Sequence, residues 1–210
     1  MSEIYHIIAY FTIVIIFMLI LPKIRNKLFF FAVLFYALRI FCWTFGNFIY
    51  SQSINVKLMA TLVDVILLYF CFSYAIEQME IKHKSLNILM SVVCVITYTL
   101  VFIGGMELSS MNTGQYSTLS IVSTGVLHIM VLLPFFLLLN KMLLGEKLNN
   151  VFALLFSVIY CIGEFIGFVL IEEQLMTGKL YMEIHSIILL VLIFLSMKYK
   201  ELVWKIFKYE

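Results

Sequence analysis

The chain has 210 residues, of which 64% are hydrophobic and 12% are charged, with a net charge of +2 and a mean hydropathy of +1.09. Soluble globular domains carry about 25% charged residues, so this composition excludes a soluble globule, and the small net charge excludes nucleic-acid binding. The apolar composition predicts an integral membrane protein. We expect it to be all-α, because the backbone polar groups of a spanning segment must be hydrogen-bonded within that segment when lipid surrounds it.

Seven stretches are long and apolar enough to form transmembrane helices, each of which needs about 20 residues. They cover residues 4–22, 28–50, 56–76, 86–106, 118–140, 150–171 and 179–197. Because little chain is left outside them, we expect a single seven-helix transmembrane domain over residues 1–210. The frequent use of Ile, Lys, Phe and Asn indicates a bacterial source and a multi-pass protein of the plasma (cytoplasmic) membrane.

The chain begins with MSEIYH, which lacks the basic segment of a cleaved signal peptide and runs straight into the first apolar stretch, so we expect helix one to be retained. It ends at Pro22 and is followed by KIRNK, the densest basic cluster between helices. Lys and Arg near helix ends remain on the cytoplasmic side of a membrane. Eleven of the 14 basic residues fall on this side and two on the other, which predicts an amino terminus outside and a carboxyl terminus in the cytoplasm.

Helices two and three contain ionisable residues within their apolar stretches. Arg39 lies at the middle of helix two, Trp43 follows one turn later, and Asp64 lies about two turns into helix three. A charge inside the bilayer costs at least about 2.5–3.5 kcal/mol and is usually paired or functional. We therefore expect Arg39 and Asp64 to form a structural ion pair or, together with Trp43, part of a ligand site.

Helix five contains His128 near its middle and Pro134, whose ring removes a backbone hydrogen bond and predicts a kink. The alternative is a proline that is tolerated without a hinge role. Four cysteines lie on different helices without metal-site spacing, so we interpret them as packing residues. They are Cys42, Cys71, Cys94 and Cys161.

Helices six and seven carry Glu164 and His185 at similar depth. Glu164 lies between Gly163 and Gly167, so close helix packing would bury it against His128 or His185. A carboxylate beside an imidazole suits a proton-coupled transporter or a pH-sensitive receptor. For His128 alone, a satisfied buried hydrogen bond is the favoured interpretation, and Glu183 is assigned to the solvated end of its helix.

After helix seven, residues 198–210 place Leu202, Val203, Ile206 and Phe207 on one helical face with lysines around the rest. This pattern predicts an amphipathic cytoplasmic tail on the anionic lipid of the inner leaflet, and the alternative is an extension of helix seven.

An offset of 121 residues aligns helices two and three with helices six and seven. Phe31, Ala32, Leu34, Phe35 and Gly46 then meet Phe152, Ala153, Leu155, Phe156 and Gly167, while Trp43 aligns with Glu164 and Asp64 with His185. The alignment predicts a 3+1+3 arrangement, with two parallel three-helix repeats over residues 4–77 and 118–197 and a linker helix over 86–106. The alternative is chance identity in an apolar sequence.

This layout resembles that of the PQ-loop group, which includes sugar-efflux transporters and the KDEL receptor. The Pro-Gln dipeptide of that group is absent, since Lys23 follows Pro22 and Phe135 follows Pro134, so no functional residue is carried over. The layout is also similar to the seven-helix sensory modules that precede bacterial kinases.

Two functional hypotheses follow. In the first, the protein binds or transports a small polar solute through a site in the outer half of the bundle. In the second, it is a receptor or sensor that signals to a cytoplasmic partner, and a structural membrane subunit or homo-oligomer is a further alternative. Because the chain lacks GxSG and HExxH motifs, we expect no enzymatic activity, metal or cofactor. The candidate ligand or proton site comprises Arg39, Trp43, Asp64, His128, Glu164 and His185.

Overall fold

The computed structural model describes residues 2–48, 54–79, 84–111, 118–143, 151–172 and 177–198. Within these ranges the chain is helical and contains no strand, as predicted. The helices are α1 (Ser2–Ile20), α2 (Lys27–Phe48), α3 (Ile54–Gln78), α4 (Lys84–Met111), α5 (Thr118–Leu143), α6 (Val151–Glu172) and α7 (Gly178–Lys198), and a 3-10 helix, Leu21–Lys23, follows α1. Seven α-helices lie within the described ranges, which agrees with the predicted number of helices; that each of the seven spans a membrane stays a prediction. The amphipathic helix expected over residues 198–210 lies outside the described residues, apart from Lys198.

The turn between α1 and α2 follows from its sequence. Pro22 lies within the 3-10 helix, and Ile24 then adopts an extended conformation while its amide donates to the carbonyl of Leu21 at 3.0 Å. Asn26 caps α2, because its side-chain oxygen accepts a hydrogen bond from the amide of Phe29 at 2.9 Å. A proline stop and an asparagine cap therefore separate two apolar helices by a few residues.

Within the described residues, six helices contain stretches long and apolar enough to cross a membrane. These are Ile4–Lys23, which includes the 3-10 helix, and Lys27–Phe45, Leu58–Gln78, Lys84–Gly104, Val122–Asn140 and Gly178–Lys198. In α6, the apolar stretch within the described residues is shorter and covers Val151–Gly167. The chain is therefore a helical, membrane-embedded protein.

The exposed faces of the helices suit hydrocarbon rather than water. On α4, for example, Ile88, Leu89, Val92, Val95 and Ile96 are all exposed. Exposed hydroxyl groups bond within their own helix: those of Thr12, Ser91 and Thr99 each donate to the carbonyl four residues earlier, at 2.8 Å. Such internal bonds satisfy a polar side chain that has no water beside it.

The chain divides into two compact units. The first contains α1, α2, most of α3, α4 and α5 up to Met130. Here α1 packs on α2 through the edge-to-face ring contact of Phe17 and Tyr36, with centroids 5.3 Å apart. Phe70 of α3 stacks on Phe31 of α2 at 5.0 Å. The thiol of Cys94 in α4 donates to the carbonyl of Val65 in α3 at 3.8 Å, which agrees with a packing role for this cysteine.

The second unit contains the end of α3 from Tyr74, the remainder of α5, α6 and α7. Its best-defined contact is the packing of α6 against α7. Gly163 and Gly167 of α6 face the rings of His185 and Tyr181, so closely that a Cβ atom at either glycine would collide with the facing ring. α5 continues as a helix through Pro134, which is buried in it.

Candidate functional site

The first polar cluster lies between α2 and α3. The Nε atom of Arg39 is 3.3 Å from the Oδ1 atom of Asp64, and the two side chains are 14% and 13% exposed. Both residues belong to long apolar helices, where an unpaired charge would be costly. The ion pair is therefore the arrangement that allows both charges within these helices.

Aromatic side chains extend this cluster toward α1. Trp43 lies one turn after Arg39 on α2, and its ring meets that of the buried Tyr10 edge to face, with centroids 5.1 Å apart. Thr44, also buried, donates its hydroxyl hydrogen to the carbonyl of Ile40 at 2.8 Å. Arg39, Trp43 and Asp64, three of the predicted site residues, thus belong to one unit, and two of them are in direct contact.

The second polar cluster lies between α6 and α7. The Nδ1 atom of His185 is 4.0 Å from the Oε1 atom of Glu164, and its Nε2 atom is 3.4 Å from the carbonyl oxygen of Ile159. The hydroxyl group of Tyr181 donates to the carbonyl oxygen of Gly163. His185, one of the two partners considered for Glu164, lies beside it within the second unit.

Two tyrosine rings complete the surroundings of His185. The imidazole is nearly parallel to the ring of Tyr160 on α6, with an interplanar angle of 14° and centroids 6.2 Å apart. It also stacks on Tyr181, one turn earlier on α7, at 5.5 Å and 24°. The side chain of His185 is 3% exposed, whereas that of Glu164 is 22% exposed. The imidazole is thus enclosed, and the carboxylate is its more accessible partner.

His128 lies on the part of α5 that belongs to the first unit. It is buried, and its Nδ1 atom is 2.7 Å from the carbonyl oxygen of Thr124, one turn earlier on the same helix. This contact agrees with the interpretation of His128 as a hydrogen-bonded core histidine. Since the six candidate residues are divided between the two units, their assembly into one pocket stays a prediction.

Glu183 corrects one sequence interpretation. It was assigned to a solvated helix end, but it is only 7% exposed. α7 begins at Gly178, so Glu183 lies in the second helical turn, and Ser186, one turn later on the same face, is also buried. An acidic residue near a predicted helix end was therefore mistaken for a solvated one.

Tyr160 and Tyr181 are further members of the α6–α7 cluster that sequence reasoning missed, whereas close packing at Gly163 was expected. A signal was present, since Tyr160, Gly163, Glu164 and Gly167 recur at helical spacing on one side of α6, and Tyr181 precedes His185 by four residues. Among the described residues, no group of three or more His, Cys, Asp or Glu side chains is arranged to hold a metal ion.

The chain matches no protein-family model, no curated protein and no solved structure. Its function therefore has to be argued from the two polar clusters themselves.

Proposed function

We propose that this protein binds a small polar solute, and transports it, through a polar site among the helices of a plasma-membrane bundle. The observation that carries the proposal is the Arg39–Asp64 ion pair, which joins two apolar helices and keeps about one seventh of each side chain exposed. Ionisable residues within membrane helices usually mark solute or ion pathways. The proposed function is binding and transport without catalysis.

The geometry of the pair supports exchange with a ligand. The Nε atom of Arg39 lies 3.3 Å from the Oδ1 atom of Asp64, and neither side chain is fully buried. A guanidinium group recognises carboxylate or phosphate, and a carboxylate recognises ammonium groups. A solute with a charged group would replace part of this contact without leaving a bare charge in the membrane. Trp43, one turn from Arg39, adds an aromatic surface that the apolar part of such a solute would contact.

A receptor or sensor is the second candidate, and one observation favours it. Glu164 lies about two turns before the end of α6, and His185 lies in the second turn of α7. With the predicted topology, both residues belong to the outer half of the membrane. A sensor needs only such an outward-facing site, with the shift of helices passed to a cytoplasmic partner or within a homo-oligomer.

The test is the thermal stability of the detergent-purified protein with a panel of solutes. The panel contains glycine betaine, glutamate, lysine, citrate and glucose, which represent zwitterionic, anionic, cationic and neutral solutes. A ligand that binds only the folded state raises the melting temperature with its concentration. We expect at least one charged solute to raise the melting temperature of the wild type but not that of the double variant Arg39→Gln/Asp64→Asn.

The double variant removes both charges together, so it leaves no unpaired charge to destabilise the fold. A response retained by the double variant would contradict the role of the ion pair in binding. A wild type that responds to no solute would contradict the proposed function and favour a structural membrane subunit. Uptake of the stabilising solute into proteoliposomes then separates a transporter, which accumulates it, from a sensor, which does not.

A further inference from the structure

His185 has an environment on α6 and α7 that suits a positive charge. Each of its ring nitrogens has an oxygen atom nearby: Nε2 is within hydrogen-bond distance of the Ile159 carbonyl, at 3.4 Å, and Nδ1 is at ion-pair distance from the Glu164 carboxylate, at 4.0 Å. A neutral imidazole has one N–H group, so one of its two nitrogens would turn a lone pair to its oxygen neighbour. Only the doubly protonated ring carries an N–H group on both nitrogens and a positive charge beside the carboxylate.

The Ile159 carbonyl is reachable because of Gly163. A helical side chain covers the turn before its own Cα atom, so a larger residue at position 163 would cover the carbonyl group four residues earlier. With glycine there, the imidazole approaches the backbone of α6 directly, and an added Cβ atom would lie 3.0 Å from both the Cδ2 and Cε1 atoms of His185. The contact between the imidazole of His185 and the Ile159 carbonyl thus depends on the glycine at position 163.

The other groups that face His185 also favour the charged ring. They include Tyr160 and Glu164 on α6 and Tyr181 on α7. The faces of aromatic rings attract cations, and a carboxylate within an apolar helix pair loses its counter-charge when the imidazole is neutral. Glu183, also buried, is the acidic residue of α7 itself, but at two residues from His185 it lies on another side of that helix.

We propose that His185 is held as an imidazolium against Glu164, and that this pair is the proton-binding site of the protein. The inference deepens the proposed function, since it names the proton as the ion whose binding accompanies that of the solute. The proton resides on the imidazole, and its release leaves a neutral ring beside an uncompensated carboxylate. The solute-binding charges, Arg39 and Asp64, are different residues.

The test is nitrogen NMR of protein labelled with ¹⁵N in its histidine rings, at about pH 8, where an ordinary imidazole is neutral. Subtracting the spectrum of His185→Gln from that of the wild type isolates the signals of His185. We expect both ring nitrogens of His185 to carry a proton at this pH. A His185 signal with one unprotonated nitrogen, as in a neutral ring, would overturn the proposal.

Glu164→Gln tests the pair, with His6→Gln in α1 as the matched control. We expect Glu164→Gln to convert His185 to the neutral ring at about pH 8, while His6→Gln leaves the protonated signals of His185 unchanged. Persistence of the imidazolium in Glu164→Gln would refute the role of Glu164. No solute is present in this experiment, so its failure and a failure of the solute panel are distinguishable.

Discussion

The charges of Arg39 and Asp64 depend on each other, since each lies within an apolar helix and is mostly buried. Removing one partner leaves the other as an uncompensated charge, which costs about 3 kcal/mol or more, whereas removing both avoids that cost. We expect Arg39→Gln and Asp64→Asn each to lower the melting temperature markedly, and the double variant to be more stable than either.

The control for that series is Arg25→Gln, which removes an exposed charge from the turn before α2 and should change stability by no more than about 0.5 kcal/mol. If the effects of the two single substitutions simply add in the double variant, the ion pair makes no contribution as a pair.

At the residue scale, the sequence identified the charges but not all of their partners. Arg39, Asp64, Glu164 and His185 stand out because ionisable residues are rare in apolar stretches. The partner of Glu164 had to remain open between two histidines, because contact depends on the rotation of one helix against another. One residue turns a helix by about 100°, so helix bounds known to a few residues do not determine which side chains meet.

At the scale of elements, the packing of α6 on α7 depends on Gly163. A methyl group there would collide with the enclosed imidazole of His185, which the rings of Tyr160 and Tyr181 stack against. We expect Gly163→Ala to destabilise the protein by about 1–3 kcal/mol, the usual cost of overpacking, as measured by thermal unfolding in detergent.

Gly125→Ala, at a half-buried position of α5, is the matched control and should have a much smaller effect. If Gly163→Ala is as stable as the wild type, then α6 and α7 do not approach each other as closely as described here.

The helices themselves were predictable, because each is a long apolar run and the turn after α1 carries a proline stop and an asparagine cap. The ends of the helices were less predictable. The helix α4 continues to Met111, beyond the expected end of its apolar stretch at residue 106. Helical backbone bonding does not stop where hydrophobicity does, so polar residues such as Ser109 extend the helix past the limit that composition indicates.

At the scale of the whole molecule, the proposed repeat has local support. With the offset of 121 residues, Arg39 and Asp64 align with Tyr160 and His185, and each pair is in contact within its own unit. Buried positions of α3 also coincide with buried positions of α7, as for Val65 with Ser186 and Leu68 with Leu189. The repeat and the topology stay predictions, because equivalent contacts in two helix pairs do not determine how the whole chain is arranged.

The central claim is that Glu164 belongs to a polar site that water reaches from outside, on helices whose apolar faces are covered by lipid. Glu164 and Phe165 are neighbours that test it directly. In the isolated chain Phe165 is 40% exposed and the side chain of Glu164 only 22%, but the exposed surface of Phe165 is apolar and should face lipid. Thiols react as thiolates and therefore need water.

The decisive measurement is the reaction of Glu164→Cys and Phe165→Cys with a membrane-impermeant maleimide added outside right-side-out vesicles. The wild type, with four native cysteines, sets the background. We expect Glu164→Cys to react and Phe165→Cys to remain at background although it is the more exposed residue. Equal reaction at both positions, or reaction at neither, would contradict the account.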